Sequence, residues 1–268
     1  MRSLLVVLTI AGLTAGASAG ATPWQQLAPD VSARLISSDV RGADGRTGIA
    51  LQIDMPQSTK TYWKIPGETG IAPILEVSDG TIEPLWPYPK VDTKEGFVDF
   101  AYYGPLVLPM LLSPGSRNEV RLSITLGICS DICVPASAEF ALPLKLDTPD
   151  AGQGLRIRQA MADVPLPWTG QPEPIGAVRW SAAENALLVE LNPEIADPGS
   201  VIAAVENDTL SFGAPQKSRE ANLVVLPLLG NNIAEGKTPE TVSLIFMTAR
   251  GPYEVQRHVQ VTEGTAQR

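Results

Sequence analysis

The chain has 268 residues, with 20 basic and 29 acidic side chains and a formal net charge of −9 at pH 7. This negative net charge excludes nucleic acid as an expected partner, because phosphate recognition needs clustered lysine and arginine. It also disfavours electrostatic binding to anionic lipid. The length predicts two domains of roughly 100–150 residues each.

The N-terminus carries the pattern of a secretion signal, which we predict over residues 1–21. Arg2 supplies a basic start, residues 4–13 form a short apolar core, and small residues at 17–21 offer cleavage sites. That core is too short to span a membrane, and no later segment reaches the roughly 20 apolar residues that a spanning helix needs. We therefore expect an exported protein that does not itself cross the membrane.

The alternation of apolar and polar residues predicts a β-sandwich domain over residues 22–148. In residues 47–55, for example, Ile49, Leu51 and Ile53 fall on one face of a strand at period two. Pro-Gly and Asp-Gly pairs mark the turns between strands. The strands are predicted in this order along the domain: 47–55, 97–103, 106–112, 119–126 and 138–146.

A boundary rich in Pro, Gly and Asp begins at residue 147, and a linker over residues 149–175 leads to a second domain, residues 176–268. Residues 153–164 have helical spacing, and the prolines that follow end the helix. Strand patterns then resume over 177–180, 186–191, 223–229, 241–247 and 253–261. The predicted fold class is all-β, with two β-sandwich domains joined by a short helix and a Pro-rich linker.

Cys129 and Cys133 are the only cysteines of the chain, and Pro135 follows them closely. A disulfide needs Cα atoms within about 7 Å, whereas four residues of an extended strand span roughly 13 Å. The chain must therefore turn through residues 130–132 if the two sulfurs are joined. Strand patterns on both sides place the pair at or near the end of a hairpin, where another protein can reach it.

The small size of the ring that a Cys129–Cys133 disulfide would close favours a role in electron exchange over a purely structural role. Closing a five-residue ring stabilises a protein by about 2 kcal/mol, against roughly 3 kcal/mol for a fifteen-residue ring, and tight rings are easily reduced. The spacing fits neither the Cys-x-x-Cys thioredoxin motif nor a zinc site, which needs further Cys or His ligands. Three interpretations stay open: a reactive exchange pair, which we favour, a structural bridge in a non-catalytic binding module, and capture of Cu(I) by two thiolates.

Four short motifs between residues 60 and 146 occur together in a suggestive order. They are Tyr-Trp-x-x-Pro-Gly at 62–67, Trp-Pro-Tyr-Pro at 86–89, Tyr-Gly at 103–104 leading into Val-Leu-Pro at 107–109, and Cys-x3-Cys-x-Pro at 129–135. In this order they resemble the periplasmic N-terminal domain of the transmembrane thiol–disulfide reductase DsbD. The sequence is more similar still to the corresponding region of ScsB, the relative associated with copper tolerance.

The resemblance implies an immunoglobulin-like domain that relays reducing equivalents. In the family, a membrane-embedded partner passes electrons through a thioredoxin-like domain to the N-terminal domain, which then reduces periplasmic client oxidoreductases. It further implies that Cys133 forms mixed disulfides with partners, that Cys129 resolves them, and that the exchange needs no cofactor. We accordingly expect a periplasmic protein whose partners are a thioredoxin-like oxidoreductase and a membrane electron-transfer protein.

The chain departs from the family in two respects. DsbD and ScsB carry their membrane conduit in the same chain, whereas this chain ends at Arg268 without one, so we expect a separately encoded membrane partner or another task. DsbD also shields its more widely spaced cysteines with a cap segment, Asp-Glu-Phe-Tyr-Gly, which corresponds to residues 100–104 here. Tyr102 falls at the shielding position, but both acidic residues are absent.

Four further residues are candidates for capping or docking. Tyr102 is implied as the cap, and Tyr103 and Trp63 are candidates for an aromatic docking surface, although each of the three also suits a sandwich core. Asp131 lies inside the ring and would tend to raise the thiol pKa values, unless it is an ordinary surface-turn residue. The predicted site thus consists of the two cysteines with these four neighbours.

Overall fold

A computed structural model describes residues 20–205, 210–230 and 239–261. The predicted signal sequence lies outside the described residues except for its last two positions. Within the described ranges, no helix is both long enough and apolar enough to cross a membrane. Almost all of the regular structure there is β, which confirms the predicted fold class.

The first domain is built from two sheets in which every pairing is antiparallel. Its strands are β1 Gln25–Ala28, β2 Val31–Arg41, β3 Thr47–Asp54, β4 Lys60–Gly67, β5 Ile74–Val77, β6 Gly80–Pro84, β7 Lys90–Asp92, β8 Asp99–Tyr103, β9 Leu106–Pro114, β10 Glu119–Cys129 and β11 Cys133–Pro143. One sheet has the order β1-β2-β3-β9-β6. The other has the order β11-β10-β4-β8-β7, and β5 also pairs with β10.

The core of the first domain lies between these two sheets. Ile49, Leu51 and Ile53 of β3 pack in one cluster with Leu122 and Ile124 of β10, and all five side chains are buried. In β10 the two residues are separated by the exposed Ser123, whereas in β3 the intervening Ala50 is also buried, in the cluster with Ile157 of the helix that follows the domain. The period-two pattern therefore turns one face of each sheet inward, where burial of apolar surface stabilises the sandwich.

The short helix α1, Ala151–Met161, lies in the predicted linker and packs on the first domain. It begins where the side chain of Asp150 accepts a hydrogen bond of 2.9 Å from the backbone NH of Gln153, which caps the first turn. Ile157 is buried against Ile36, on the face of the sheet opposite the core. The helix is therefore attached to the first domain along its length.

The second domain is a single eight-stranded sheet with its own core. Its strands are β12 Leu166–Pro167, β13 Ile175–Ser181, β14 Ala186–Leu191, β15 Ile202–Ala204, β16 Gln216–Lys217, β17 Leu223–Pro227, β18 Thr241–Thr248 and β19 Gly251–Val261. The order is β15-β18-β19-β13-β14-β17-β16, with β12 beside β19. The long β19 pairs first with β18 and at its end with β13, so it joins the two halves that enclose the core.

The two domains pack against each other through one face of β4 and β8. Trp63 of β4 and Phe100 and Tyr102 of β8 lie on this face, because alternate residues of a strand share a side. In the second domain the same apolar cluster includes Ile202, Ala204 and Ile245. Trp63 and Phe100 meet edge to face with ring centroids 5.9 Å apart. Tyr88 adds a polar link, since its hydroxyl donates to the carbonyl of Ser200.

Candidate functional site

The two cysteines close the hairpin formed by β10 and β11. The strands pair without interruption from Glu119 opposite Pro143 to Cys129 opposite Cys133, and residues 130–132 form the turn. The cysteine Cα atoms are 4.1 Å apart and a disulfide joins the two side chains. The turn that the spacing requires is therefore present, and the bridge lies across the last pair of the ladder.

The two cysteines differ sharply in their exposure. Cys129 is only 1% exposed, whereas Cys133 is an exposed residue. Its neighbours in the turn and in β11 are exposed as well, with Ile132 at 75%. Cys129 is covered because β4 lies beside it, at a pairing between Cys129 and Lys60. A protein that approaches from solvent therefore meets Cys133 first.

Tyr62 is the side chain that contacts both sulfurs. Its hydroxyl oxygen lies 3.0 Å from Sγ of Cys129 and 3.3 Å from Sγ of Cys133. Since the sulfurs of a disulfide carry no hydrogen, the tyrosine is the donor in both contacts. Burial raises the pKa of the Tyr62 phenol, and the charge of Lys60 opposes that shift only in part. The phenol therefore keeps its proton at neutral pH and stays a donor.

Two glycines make room for the ring of Tyr62. A Cβ on Gly70 would lie 2.4 Å from Cδ1 of Tyr62, and a Cβ on Gly127 would lie 3.0 Å from Cδ2. A methyl group does not fit at the first of these positions without displacing the ring. Gly127 belongs to β10, two residues before Cys129, so the same strand carries one sulfur and seats the tyrosine.

A buried ion cluster lies beside Tyr62. Nζ of Lys60 is 2.9 Å from Oδ2 of Asp92 and 3.0 Å from Oδ2 of Asp99, and all three side chains are largely shielded from solvent. The same ammonium group is 5.4 Å from the centre of the Tyr62 ring. Asp92 also accepts a hydrogen bond from the hydroxyl of Tyr103. The ammonium group of Lys60 and the carboxyl groups of Asp92 and Asp99 thus lie beside the tyrosine that contacts the disulfide.

The protonation states in this cluster follow from its hydrogen bonds. Burial alone would lower the pKa of Lys60, but the hydrogen bonds to Asp92 and Asp99 outweigh it and raise that pKa. Burial alone would raise the pKa of Asp92, yet the hydrogen bonds from Tyr103 and Lys60 produce a net decrease. Burial and the contact with Asp92 raise the pKa of Tyr103 to about 12. At neutral pH the lysine and the carboxylate of Asp92 are therefore charged and the phenol is neutral.

Comparison with known proteins places this site in a family. Residues 25–145, which contain the whole cysteine hairpin, match the family model described as thiol:disulfide interchange protein DsbD, N-terminal. The first domain is a DsbD N-terminal domain. Its bridged pair is therefore the disulfide of a thiol–disulfide interchange domain. No curated protein matches the sequence.

A solved structure resembles the chain beyond the DsbD domain itself. It is the N-terminal periplasmic domain of ScsB from Proteus mirabilis, which is 20% identical in sequence and matches with a TM-score of 0.70. The match covers 91% of this chain and 99% of that chain. The two-domain arrangement therefore falls within a fold already observed in that ScsB domain.

The structure separates the aromatic residues that the sequence placed near the pair. Tyr103 packs beside Cys129 in the DsbD domain, in a cluster with Tyr62. Tyr102, its neighbour in β8, faces the second domain instead, and its hydroxyl donates to the carbonyl of Pro87 at 2.7 Å. Trp63 lies buried in the same interface. Asp131 is exposed in the turn.

The sequence did not identify Tyr62, Lys60, Asp92 and Asp99 as site residues. Tyr62 stands in the Tyr-Trp-x-x-Pro-Gly motif, which could have pointed to it. Asp99 comes from β8, the strand beside β4, and Asp92 comes from β7, the strand beyond β8, so both meet Lys60 only through the order of the strands in the sheet. In the parts of the chain that the structure describes, no three His, Cys, Asp or Glu side chains come together as a metal site.

The lowered pKa of Asp92 predicts a pH-dependent contribution to stability. An unfolded aspartate titrates near 3.9, so the stability from the folded carboxylate is present above about pH 4 and is lost as the pH falls through the lower folded pKa. We expect Asp92→Asn to lower the free energy of unfolding at neutral pH by about 1.5–3 kcal/mol, as for loss of a hydrogen bond to a charged group. In acid, the difference from the wild type should shrink.

Urea unfolding of both proteins across the acid range measures this effect. Asp131→Asn is the matched control, because its carboxylate lies in the exposed turn, and it should unfold like the wild type. If Asp92→Asn and the wild type differ by the same free energy at neutral pH and in acid, the carboxylate has no such role.

Proposed function

We propose that the protein is a periplasmic thiol–disulfide relay that passes reducing equivalents from a membrane reductase to client oxidoreductases through Cys129 and Cys133. One observation carries this proposal: the bridge lies at the tip of a hairpin with one exposed and one buried cysteine. A bridge that only stabilised the fold would not need an accessible sulfur. The family of the first domain supports the same conclusion.

In the reduced protein, the exposed cysteine is the nucleophile. The Cys133 thiolate attacks one sulfur of a client disulfide, forms a mixed disulfide and releases the second client sulfur as a thiolate. The Cys129 thiolate then attacks the Cys133 sulfur, closes the internal bridge and releases the first client sulfur. Two electrons pass to the client, whose two thiolates take up protons from water. The reverse sequence with a reduced donor restores the dithiol.

The proposed partners are proteins with accessible disulfides or dithiols. A thioredoxin-like periplasmic oxidoreductase suits the exposed sulfur of Cys133, and a membrane electron-transfer protein would supply the reducing equivalents. The similar ScsB domain is a periplasmic domain, which supports this location. Tyr103, which packs beside Cys129, is the aromatic residue that we propose as the shield of the bridge from the β8 side.

The reduction potential of the Cys129–Cys133 pair tests the proposal. We expect a value above about −300 mV, since labile exchange disulfides lie above that limit and structural ones below it. The mature protein is equilibrated in graded thiol buffers, and the alkylated cysteines are counted by mass spectrometry. A value well below about −300 mV would instead favour a non-catalytic binding module with a structural bridge.

A further inference from the structure

Opening the bridge creates a negative charge on a buried atom. When a donor thiolate attacks Sγ of Cys133, a bond forms between the donor sulfur and Cys133, and the bond to Cys129 breaks. The electron pair of that bond moves to Sγ of Cys129, which leaves as a thiolate. Cys129 is 1% exposed, so water is poorly placed to solvate the new anion. An anion in such a place is costly unless a donor is within hydrogen-bond range.

We propose that Tyr62 is a catalytic residue of the exchange, whose phenol donates a hydrogen bond to the leaving Cys129 thiolate. The proposal rests on the proposed relay function. The hydrogen bond from the phenol would stabilise the thiolate of Cys129 and so allow this buried sulfur to act as the leaving group. The hydroxyl oxygen is already 3.0 Å from that sulfur in the oxidised protein. The contact is therefore formed before the charge develops, which is the condition for preorganised stabilisation.

The charges around the sulfur leave this role to the phenol. Lys60 is neutralised by Asp92 and Asp99, so the ion cluster offers no net positive charge to a thiolate. Thr69 also belongs to this cluster, since its hydroxyl donates to Asp99 at 2.6 Å. A neutral O–H dipole that points at the sulfur is thus the available source of stabilisation. Burial keeps that phenol protonated, because it raises the pKa of Tyr62.

The packing around Tyr62 restricts the position of its ring. Gly70 and Gly127 flank the ring, and an alanine at Gly70 would contact it at 2.4 Å. Both glycines leave space that a side chain would fill, and the ring occupies that space. The hydroxyl is thereby fixed at the disulfide from two sides.

The two cysteines are expected to depend on Tyr62 to different degrees. Cys133 is exposed, so water can solvate its thiolate without help from the protein. Cys129 has no such access, so loss of the hydroxyl should raise the pKa of the Cys129 thiol far more than that of Cys133. By microscopic reversibility the same contact also favours the thiolate form of Cys129 when it resolves a mixed disulfide.

The test compares Tyr62→Phe with Tyr102→Phe. Both changes remove one buried hydroxyl from adjacent strands, but Tyr102 faces the second domain and donates to Pro87. Dithiothreitol is the electron donor, and the rate of bridge opening at neutral pH is followed by alkylation. We expect Tyr62→Phe to slow opening by about tenfold or more, as for loss of a hydrogen bond to a charged group, while Tyr102→Phe stays within about twofold of the wild type.

A second measurement reads the Cys129 thiol directly. In a Cys133→Ser protein, the ultraviolet absorbance of the thiolate is titrated with and without Tyr62→Phe, and the pKa should rise by about one unit or more. Should Tyr62→Phe fail to fold, Gly127→Ala takes its place, because it keeps the hydroxyl and crowds the ring, and it should slow opening. Unchanged opening rates and an unchanged Cys129 pKa overturn the proposal.

The outcomes separate this proposal from the relay function. Dithiothreitol opens an accessible bridge whatever its biological role, so an effect of Tyr62→Phe is measurable even if the reduction potential marks the bridge as structural. That result would contradict the relay proposal, and Tyr62 would then only affect how fast the disulfide opens. If the reduction potential is high and Tyr62→Phe opens as fast as the wild type, the relay proposal stands. The proposed role of Tyr62 is then wrong.

Discussion

Replacing Cys129 with serine is expected to produce a protein that accumulates a mixed disulfide through Cys133. The exposed thiolate attacks a disulfide as before, but no second sulfur lies across the hairpin to displace the bound partner. Replacing Cys133 instead leaves the buried thiol of Cys129, which a protein disulfide cannot approach. We expect the yield of mixed disulfide to differ by at least about tenfold between the two variants, since exchange rates depend on access to the attacking sulfur.

Non-reducing electrophoresis and mass spectrometry measure this difference. Each variant is incubated with an oxidised thioredoxin-like oxidoreductase, and in parallel with Ellman's reagent, a small aromatic disulfide. The protein without both cysteines is the control and should form no adduct. Equal yields from the two single-cysteine proteins would show that exposure does not select the nucleophile.

Replacing Phe100 with alanine is expected to cause a large loss of stability. The side chain is 1% exposed, meets Trp63 edge to face and packs against the second domain. Truncation leaves a cavity where two domains and an aromatic pair meet, and comparable changes cost about 3–5 kcal/mol. The free energy of unfolding should fall by that amount in urea titrations followed by tryptophan fluorescence.

Phe97→Ala provides a matched control from the same segment. Phe97 is 50% exposed, so its truncation should change the free energy of unfolding by less than about 0.5 kcal/mol. If Phe100→Ala costs no more than Phe97→Ala, the contact between the domains contributes little to the stability of the chain.

β10 is predicted as a strand because one of its faces is polar: Val120, Leu122 and Ile124 face the sandwich core, and the residues between them are polar and exposed. β4 was not predicted as a strand for the opposite reason. Its neighbouring residues Tyr62 and Trp63 are both buried, one against the disulfide and the other against the second domain, and this removes the alternation. A strand that is buried on both sides lacks the period-two pattern by which strands are recognised.

Short strands were missed for a different reason. β7 is only three residues long and β5 only four, so neither repeats the pattern often enough to be recognised. They matter nevertheless, because β7 carries Asp92 into the ion cluster. A contact between Lys60 and a residue on another strand depends on sheet order, which local spacing does not contain.

The cysteine site was predicted in part from simple geometry. Two joined cysteines four residues apart require a turn, and this placed the pair at the hairpin tip. The resemblance implies Tyr102 as the cap, but spacing alone does not show which of Tyr102 and Tyr103 lies on the side of the bridge, since adjacent residues of a strand face opposite sides. Register decides it: Tyr103 pairs with Lys60, which in turn pairs with Cys129.

The unbroken ladder of the β10–β11 hairpin has a kinetic consequence. Its backbone hydrogen bonds do not depend on the bridge, so reduction leaves the two thiols facing each other on paired strands. Groups held in this manner react as if their effective concentration were very high, up to about 10⁵ M or more in well-oriented cases. In the proposed relay, a partner bound to Cys133 would then be displaced soon after it is captured. The residence time of each encounter would be short, and turnover would be limited by how often partners arrive.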